Sequence, residues 1–284
     1  MHESQSEHED RGVPILVARD VLNGNQGTGM IFAHVVPKKG VQPYAVKAFA
    51  NDVALLGHPE LIIKSDGEPS IEALTEAVKN ERAERIVLEQ SPVHESKSNG
   101  RAENTVQLVQ GQVRTIKDGL ESRIGVKITG DMPIVTWLVI HAARTLNRFV
   151  VVSDGKTACR RWKGKEFKRD VVEFGESVMY LKAGTRGVDK FAVRWEKGVW
   201  LGIRDETGEV IIGTNEGVVK ARDMKIMPTQ EERWHAEAIL VFQGTPWEPI
   251  PGKKYAIPVR VQLPEEGSDE KPKPVNLGEP KQEI

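Results

Sequence analysis

Between residues 102 and 120 the apolar side chains Ala102, Val106, Val109, Val113, Ile116 and Leu120 recur in steps of four, three, four, three and four. A strand turns alternate residues to opposite faces and cannot gather that set on one side, whereas an α-helix places all six on a single stripe. The spacing therefore predicts an amphipathic helix of about five turns, which needs an apolar layer to lie on and so commits the chain to a layered fold. A second helix is expected over 133–148. Pro133 suits its first turn, and Ile134, Val135, Leu138, Val139, Ala142 and Leu146 form its buried side. His141 stands beside that stripe and reads as a packed core histidine rather than a ligand.

The segments before the long helix alternate in kind. "PILVARD" (14–20) and "GMIFAHVVP" (29–37) are β-rich runs separated by "VLNGNQGT", a Gly/Asn cluster that suits an antiparallel hairpin. Ala45, Val46, Phe49, Val53 and Leu56 give a helix that Gly57 can stop. "ELIIKSD" (60–66) reads as a short buried strand, Ser70 as the cap of a helix to about Glu81, and "RIVLEQ" (85–90) as another strand. From residue 171, "ESVMYLKAG", "FAVRWEKGVWLGIR", "GEVIIGTN" and "GVVKARDMKIMP" read as four or five short strands of a small β-barrel or curled sheet. The expected organisation is a polar segment 1–13, an α/β core 14–153, a basic connector 154–170, a small β domain 171–228 and a mostly disordered tail 229–284, whose Pro and charge content cannot support a core.

Composition excludes several classes. A lone Cys159 among 284 residues rules out a disulfide framework, a Cys-rich zinc site and a thiol redox pair. No run approaches the roughly 18 apolar residues of a membrane span, and "MHESQSEHEDRG" is unlike a signal peptide, so an intracellular protein, nuclear or cytoplasmic, with no membrane partner is expected. The net charge of -1 hides an asymmetry: Lys97 to Lys165 holds thirteen Lys/Arg against five Asp/Glu. That stretch is a candidate phosphate-binding surface or, on composition alone, a set of solvated helix positions.

Two carboxylates attract attention. Asp66 lies where a strand stops and Glu103 in the expected first turn of the long helix, and α/β folds bring strand ends and helix starts to one edge. Two carboxylates meeting there would repel each other unless a divalent cation lay between them, and Mg²⁺ takes one or two carboxylates together with water and phosphate oxygens. Gln107, Gln110, Arg114 and Lys117 follow Glu103 by four, seven, eleven and fourteen positions, one polar and basic stripe. With Lys97, Asn99 and Arg101 in the preceding segment it could track a nucleic-acid backbone; an ordinary solvated face fits the spacing equally well.

"LIIKSDGEPS" followed by "SPVHESKSNGRAENTVQLVQGQVRTIK" resembles the second-Asp strand and the Glu helix of the retroviral-type integrase core, in its copia-type LTR retrotransposon branch. Thirty-six residues separate Asp66 from Glu103, close to that family's interval. "FGESVMY" and "KGVWLGIRDETGEVIIGTNEGVVKARDM" resemble the small β domain that follows the core in copia polyproteins. The resemblance implies an RNase H-like mixed sheet with flanking helices and an acidic triad holding two Mg²⁺ or Mn²⁺ ions, with Asp66 and Glu103 as second and third acids. It also implies DNA as partner, self-association into a homo-oligomer, and phosphodiester cleavage and strand transfer in DNA integration. Asp20, with forty-five residues between it and Asp66, is the tempting first acid. The hairpin, however, matches the family's second and third strands, which turns Asp20 toward the turn and puts the first strand upstream of Met1. An N-terminally truncated core with weak or absent strand transfer is the expectation. A non-catalytic nucleic-acid-binding remnant and an RNase H-like nuclease are the alternatives.

Overall fold

A computed structural model of the protein describes residues 13–21, 27–90, 96–181, 191 and 193–253, with the side chains of 96–99 left aside. It is a mixed α/β structure. The first two strands, β1 (Ile15–Arg19) and β2 (Ile31–Val35), pair antiparallel with Ile15 opposite Val35. The flanking bonds Val36 N–H to Pro14 O (3.0 Å) and Asp20 N–H to Met30 O (2.8 Å) fix the phase of the ladder. Backbone groups of even-numbered residues therefore bond across the pair, and those of Ile15, Val17 and Arg19 face the opposite edge of β1.

Helix α1 (Pro43–Leu56) starts on Pro43 and stops at Gly57, whose φ of 70° closes the last turn as expected. The pair β3 (Glu60–Ser65) and β4 (Arg85–Gln90) is parallel, joined through α2 (Pro69–Glu81). Two expectations change here. Ser70 does not cap α2: the helix already begins at Pro69, pre-set for a first turn, and the Ser70 hydroxyl donates to Glu68 Oε1 at 2.7 Å from inside that turn. Nor is β3 buried; its residues alternate, and Ile62 is 62 % exposed. The ion pairs Lys64–Glu89 and Arg85–Glu60 share the Ile62 face and keep it solvated.

Leu16 and Ala18 of β1 and Leu61, Ile63 and Leu88 of the parallel pair pack on one apolar layer, with Val46, Phe49 and Val53 of α1 and Leu74 and Val78 of α2. The described strands nonetheless form two separate two-stranded sheets here, not the single mixed sheet expected.

Helix α3 (Ser96–Ile124) runs for 29 residues, longer than its apolar stripe predicts, because the "SKSNG" lead-in is already helical. Val109 and Leu120 are buried; Ala102, expected on the buried side, is exposed. Helix α4 (Pro133–Phe149) packs against α3 and β2. Its Asn147 closes the outer edge of β2, accepting from Ile31 N–H (2.8 Å) and donating to Ile31 O (2.7 Å). Beyond the short α5 (Ala158–Lys163), an antiparallel sheet takes the order β8-β7-β6-β5-β9. Its strands are β5 (Ser177–Leu181), β6 (Trp195–Ile203), β7 (Val210–Thr214), β8 (Gly217–Ala221) and β9 (Met224–Ile226). It is an open, bulged sheet rather than a closed barrel: β8 and β9 remain its two edges.

This sheet is not set apart. Val199, Leu201 and Ile211 share a core with Leu120 of α3 and with Ile134, Trp137 and Leu138 of α4. Gly175, at φ 85°, allows the approach: a Cβ there would lie 2.7 Å from Leu120 Cδ1. Residues 229–253, expected to open the disordered tail, instead carry α6 (Gln230–Arg233) and α7 (Ala236–Leu240) and bury Ile239 and Phe242 in that core. The apolar "AILVF" supplies those anchors; 254–284 lie outside the described residues. No helix among the described residues is long and apolar enough to cross a membrane.

Candidate functional site

Ser65 and Gln90, the last residues of β3 and β4, stand in register, so the chain leaves both strands at the same edge. Asp66 follows at once, exposed, its carbonyl accepting from Glu68 N–H. Glu68 closes this turn: Lys39 (2.9 Å) and Ser70 hold its carboxylate, and chiefly the Lys39 bond pulls its pKa below the ordinary range. A shallow cleft of about 330 Å³ opens beside the edge, lined by Ser65, Gln90, Glu72, Glu76 and Glu89. Such a rim repels a bare phosphate and attracts a cation.

Glu103 stands on α3. It lies seven residues past Ser96, about 10 Å along the axis, so the helix dipole, which acts within the first turn, does not account for it. Its side chain is exposed, and neither Asp66 nor Glu103 forms a salt bridge among the described residues. The main packing of α3 is with α4 and β1, that of β3 with β4 and α2, so no extensive packing between these elements brings the two carboxylates together. As donors, two unneutralised carboxylates fit a hard divalent ion in kind. Among the described residues no group of three or more His, Cys, Asp or Glu side chains forms a metal-sized cluster.

Asp20 is engaged elsewhere. Its carboxylate accepts from Thr28 N–H (2.5 Å) and Thr28 Oγ1 (2.7 Å) and lies 3.4 Å from His58 Nε2, closing the neck of the hairpin.

The stripe along α3 is only partly available. Arg101, Gln107, Gln110 and Arg114 are exposed. Lys117 instead turns to Glu121 (2.6 Å), which also takes Lys127 (2.9 Å) and Ile128 N–H (2.7 Å). These partners, Lys117 first, pull the Glu121 carboxyl down to about 2. Lys117 thus ties the end of α3 to the following turn. The side chains of Lys97 and Asn99 lie outside the described residues.

Two polar groupings were not foreseen, whereas a third polar residue, His141, was. His34 and Asp52 form a largely buried pair (2.8 Å) between β2 and α1; burial raises the Asp52 carboxyl and His34 opposes it. Asp205 joins Arg144 (3.0 Å) and Arg148 (2.6 Å). His141, buried as expected, lines a cavity of about 270 Å³ between α3, α4 and residues 171–174. Burial, then the charges of Arg148 and Arg144, push its pKa down to about 3. Asp52 and Asp205 lie 18 and 57 residues from His34 and Arg148, too far apart to leave a local spacing to read.

No known protein family matches the chain, and no curated protein does. Among solved structures, a chain of the simian T-cell lymphotropic virus intasome in complex with PP2A regulatory subunit B56 gamma is similar at 15% identity, over 71% of this chain and 70% of that one, with a TM-score of 0.37. A likeness that distant assigns no function.

Proposed function

We propose that the chain is an integrase-like, nucleic-acid-binding core in which Asp66 and Glu103 hold a divalent cation at the end of the β3–β4 pair. The observation that carries this reading is the in-register exit of β3 and β4, which sends the Asp66 turn and the approach to the Glu103 helix from one edge. The acidic rim beside it favours a cation, and Arg101, Gln107, Gln110 and Arg114 offer donors for phosphate along the exposed face of α3. Bound there, Mg²⁺ or Mn²⁺ would supply Lewis-acid stabilisation for phosphodiester cleavage and strand transfer. The protein's own part is to present two carboxylate oxygens for the ion and a basic and amide face for the nucleic-acid backbone. With Asp20 committed to Thr28, catalysis by this pair alone is weak, and binding is the function the residues serve best.

Isothermal titration of Mn²⁺ into the wild type and Asp66→Asn tests the site. Binding in the wild type that weakens at least tenfold in the variant is expected; equal binding removes the proposed metal site. Retention of DNA binding by a chain that takes up no metal favours a non-catalytic binding protein.

A further inference from the structure

We infer that residues 154–170 form a second, rigid phosphate-contacting surface for duplex DNA, which rests on the nucleic-acid-binding reading above and adds a surface to it. This segment is docked at several points. The Trp162 indole N–H donates to Leu55 O at the end of α1 (2.7 Å), and Arg161 to Thr28 O at the neck of the hairpin (3.2 Å). Lys163 Nζ donates to Asp205 O (2.6 Å) and Arg169 to Gly208 O, both on the turn between β6 and β7. Ala158 and Cys159, in the first turn of α5, are buried. Cations held this way have already lost much of the conformational freedom that a loose basic linker would lose on binding.

The charge remaining after internal pairing is strongly positive. The segment has seven Lys/Arg and three Asp/Glu. Arg161 pairs with Asp154 (2.5 Å) and Arg160 with Glu166 (2.9 Å), which leaves five cations and Asp170. Carbonyl partners leave the charges of Lys163 and Arg169 intact, and Lys165 and Lys168 are exposed without an ion pair among the described residues. Two acids of the adjoining turn are paired, Asp205 with Arg144 and Arg148 and Glu206 with Arg204 (3.4 Å), while Glu209 keeps its charge beside the Thr207 hydroxyl (2.8 Å).

Phosphate at a fixed spacing is the complementary surface. Lys163 and Arg169 reach the same turn at carbonyls three residues apart, a spacing set by the fold. A lipid surface is the other polyanion, and the half-exposed Phe149 lies nearby, but its ring packs edge-on against Phe167 (6.1 Å) and Trp162 is pinned to Leu55, so neither ring is free to insert.

The test measures binding of a 30-bp duplex against salt for the wild type, Lys165→Ala/Lys168→Ala and Arg114→Ala, with circular dichroism to confirm folding. Each lost phosphate contact lowers the slope of log K against log salt by about one, so the double variant should lose about two and Arg114→Ala about one. A wild type with a steep slope and a double variant identical to it overturn the second surface and leave the α3 face standing. A wild type without salt-dependent binding overturns both. Stronger retention of the wild type on phosphatidylserine vesicles than on the duplex, lost in the double variant, also overturns the assignment.

Discussion

Asn147 replaces a neighbouring strand with one side chain, and removing it should cost more than most single substitutions. Its amide is buried, 4 % exposed, and satisfies both backbone groups of Ile31, itself buried at the β2 edge. Asn147→Leu keeps roughly the volume and offers neither donor nor acceptor. Two buried backbone groups then lose their partners at about 1–3 kcal/mol each, and partial water entry brings the expected loss to about 3 kcal/mol. That is a large share of the roughly 5–15 kcal/mol that holds a domain folded. Asn147→Asp is a sharper probe: it still accepts from Ile31 N–H but sets an anion against Ile31 O, and should be no more stable than the Leu variant. Urea unfolding gives the free energies, and amide hydrogen exchange at Ile31 reports the edge directly. A Leu variant within about 0.5 kcal/mol of wild type, its Ile31 amide still protected, would refute the idea that Asn147 completes the strand.

Other outcomes follow from buried groups. Because His141 is held near 3 in the fold and near 6.5 when unfolded, only the unfolded chain takes its proton as pH drops below 6.5, and stability falls from there toward 3. The loss reaches about 2 kcal/mol by pH 5, and His141→Leu should flatten this limb of a pH–stability curve. Glu121 acts lower: its stabilisation is complete above its ordinary 4.5 and disappears as pH falls through about 2, so Glu121→Gln should remove that step in acid unfolding. In Gly213→Ala the new Cβ would sit 2.4 Å from Phe242 Cε2, a clash expected to cost about 1–3 kcal/mol in thermal unfolding and to be relieved by adding Phe242→Leu.

The readable parts of the fold were those written in a local period. The stripe at 45, 46, 49 and 53 and the stop at Gly57 give α1 nearly residue for residue, and the clusters around "NGNQG" mark the β1–β2 hairpin. Helix starts were harder. α3 begins at Ser96, but its polar first turns carry no apolar period to mark that start, which placed Glu103 at a helix start it does not occupy. Partners far apart in sequence were invisible: Asn147 with Ile31 and Phe242 with the α4 core. Asp66 was legible as a strand end, but the separation of β1–β2 from β3–β4 depends on backbone pairing that no side-chain pattern encodes.

The core common to α4, β6 and Phe242 also governs how the molecule can be cut and how it can move. Severing the chain near residue 170 would strip Trp137 and Leu138 on one piece and Leu201 and Ile211 on the other, so each half should precipitate alone and recover only when the two are produced together. The same seam ties the helices to the sheet, so a long ligand lying across both should have to bend to the protein's contour.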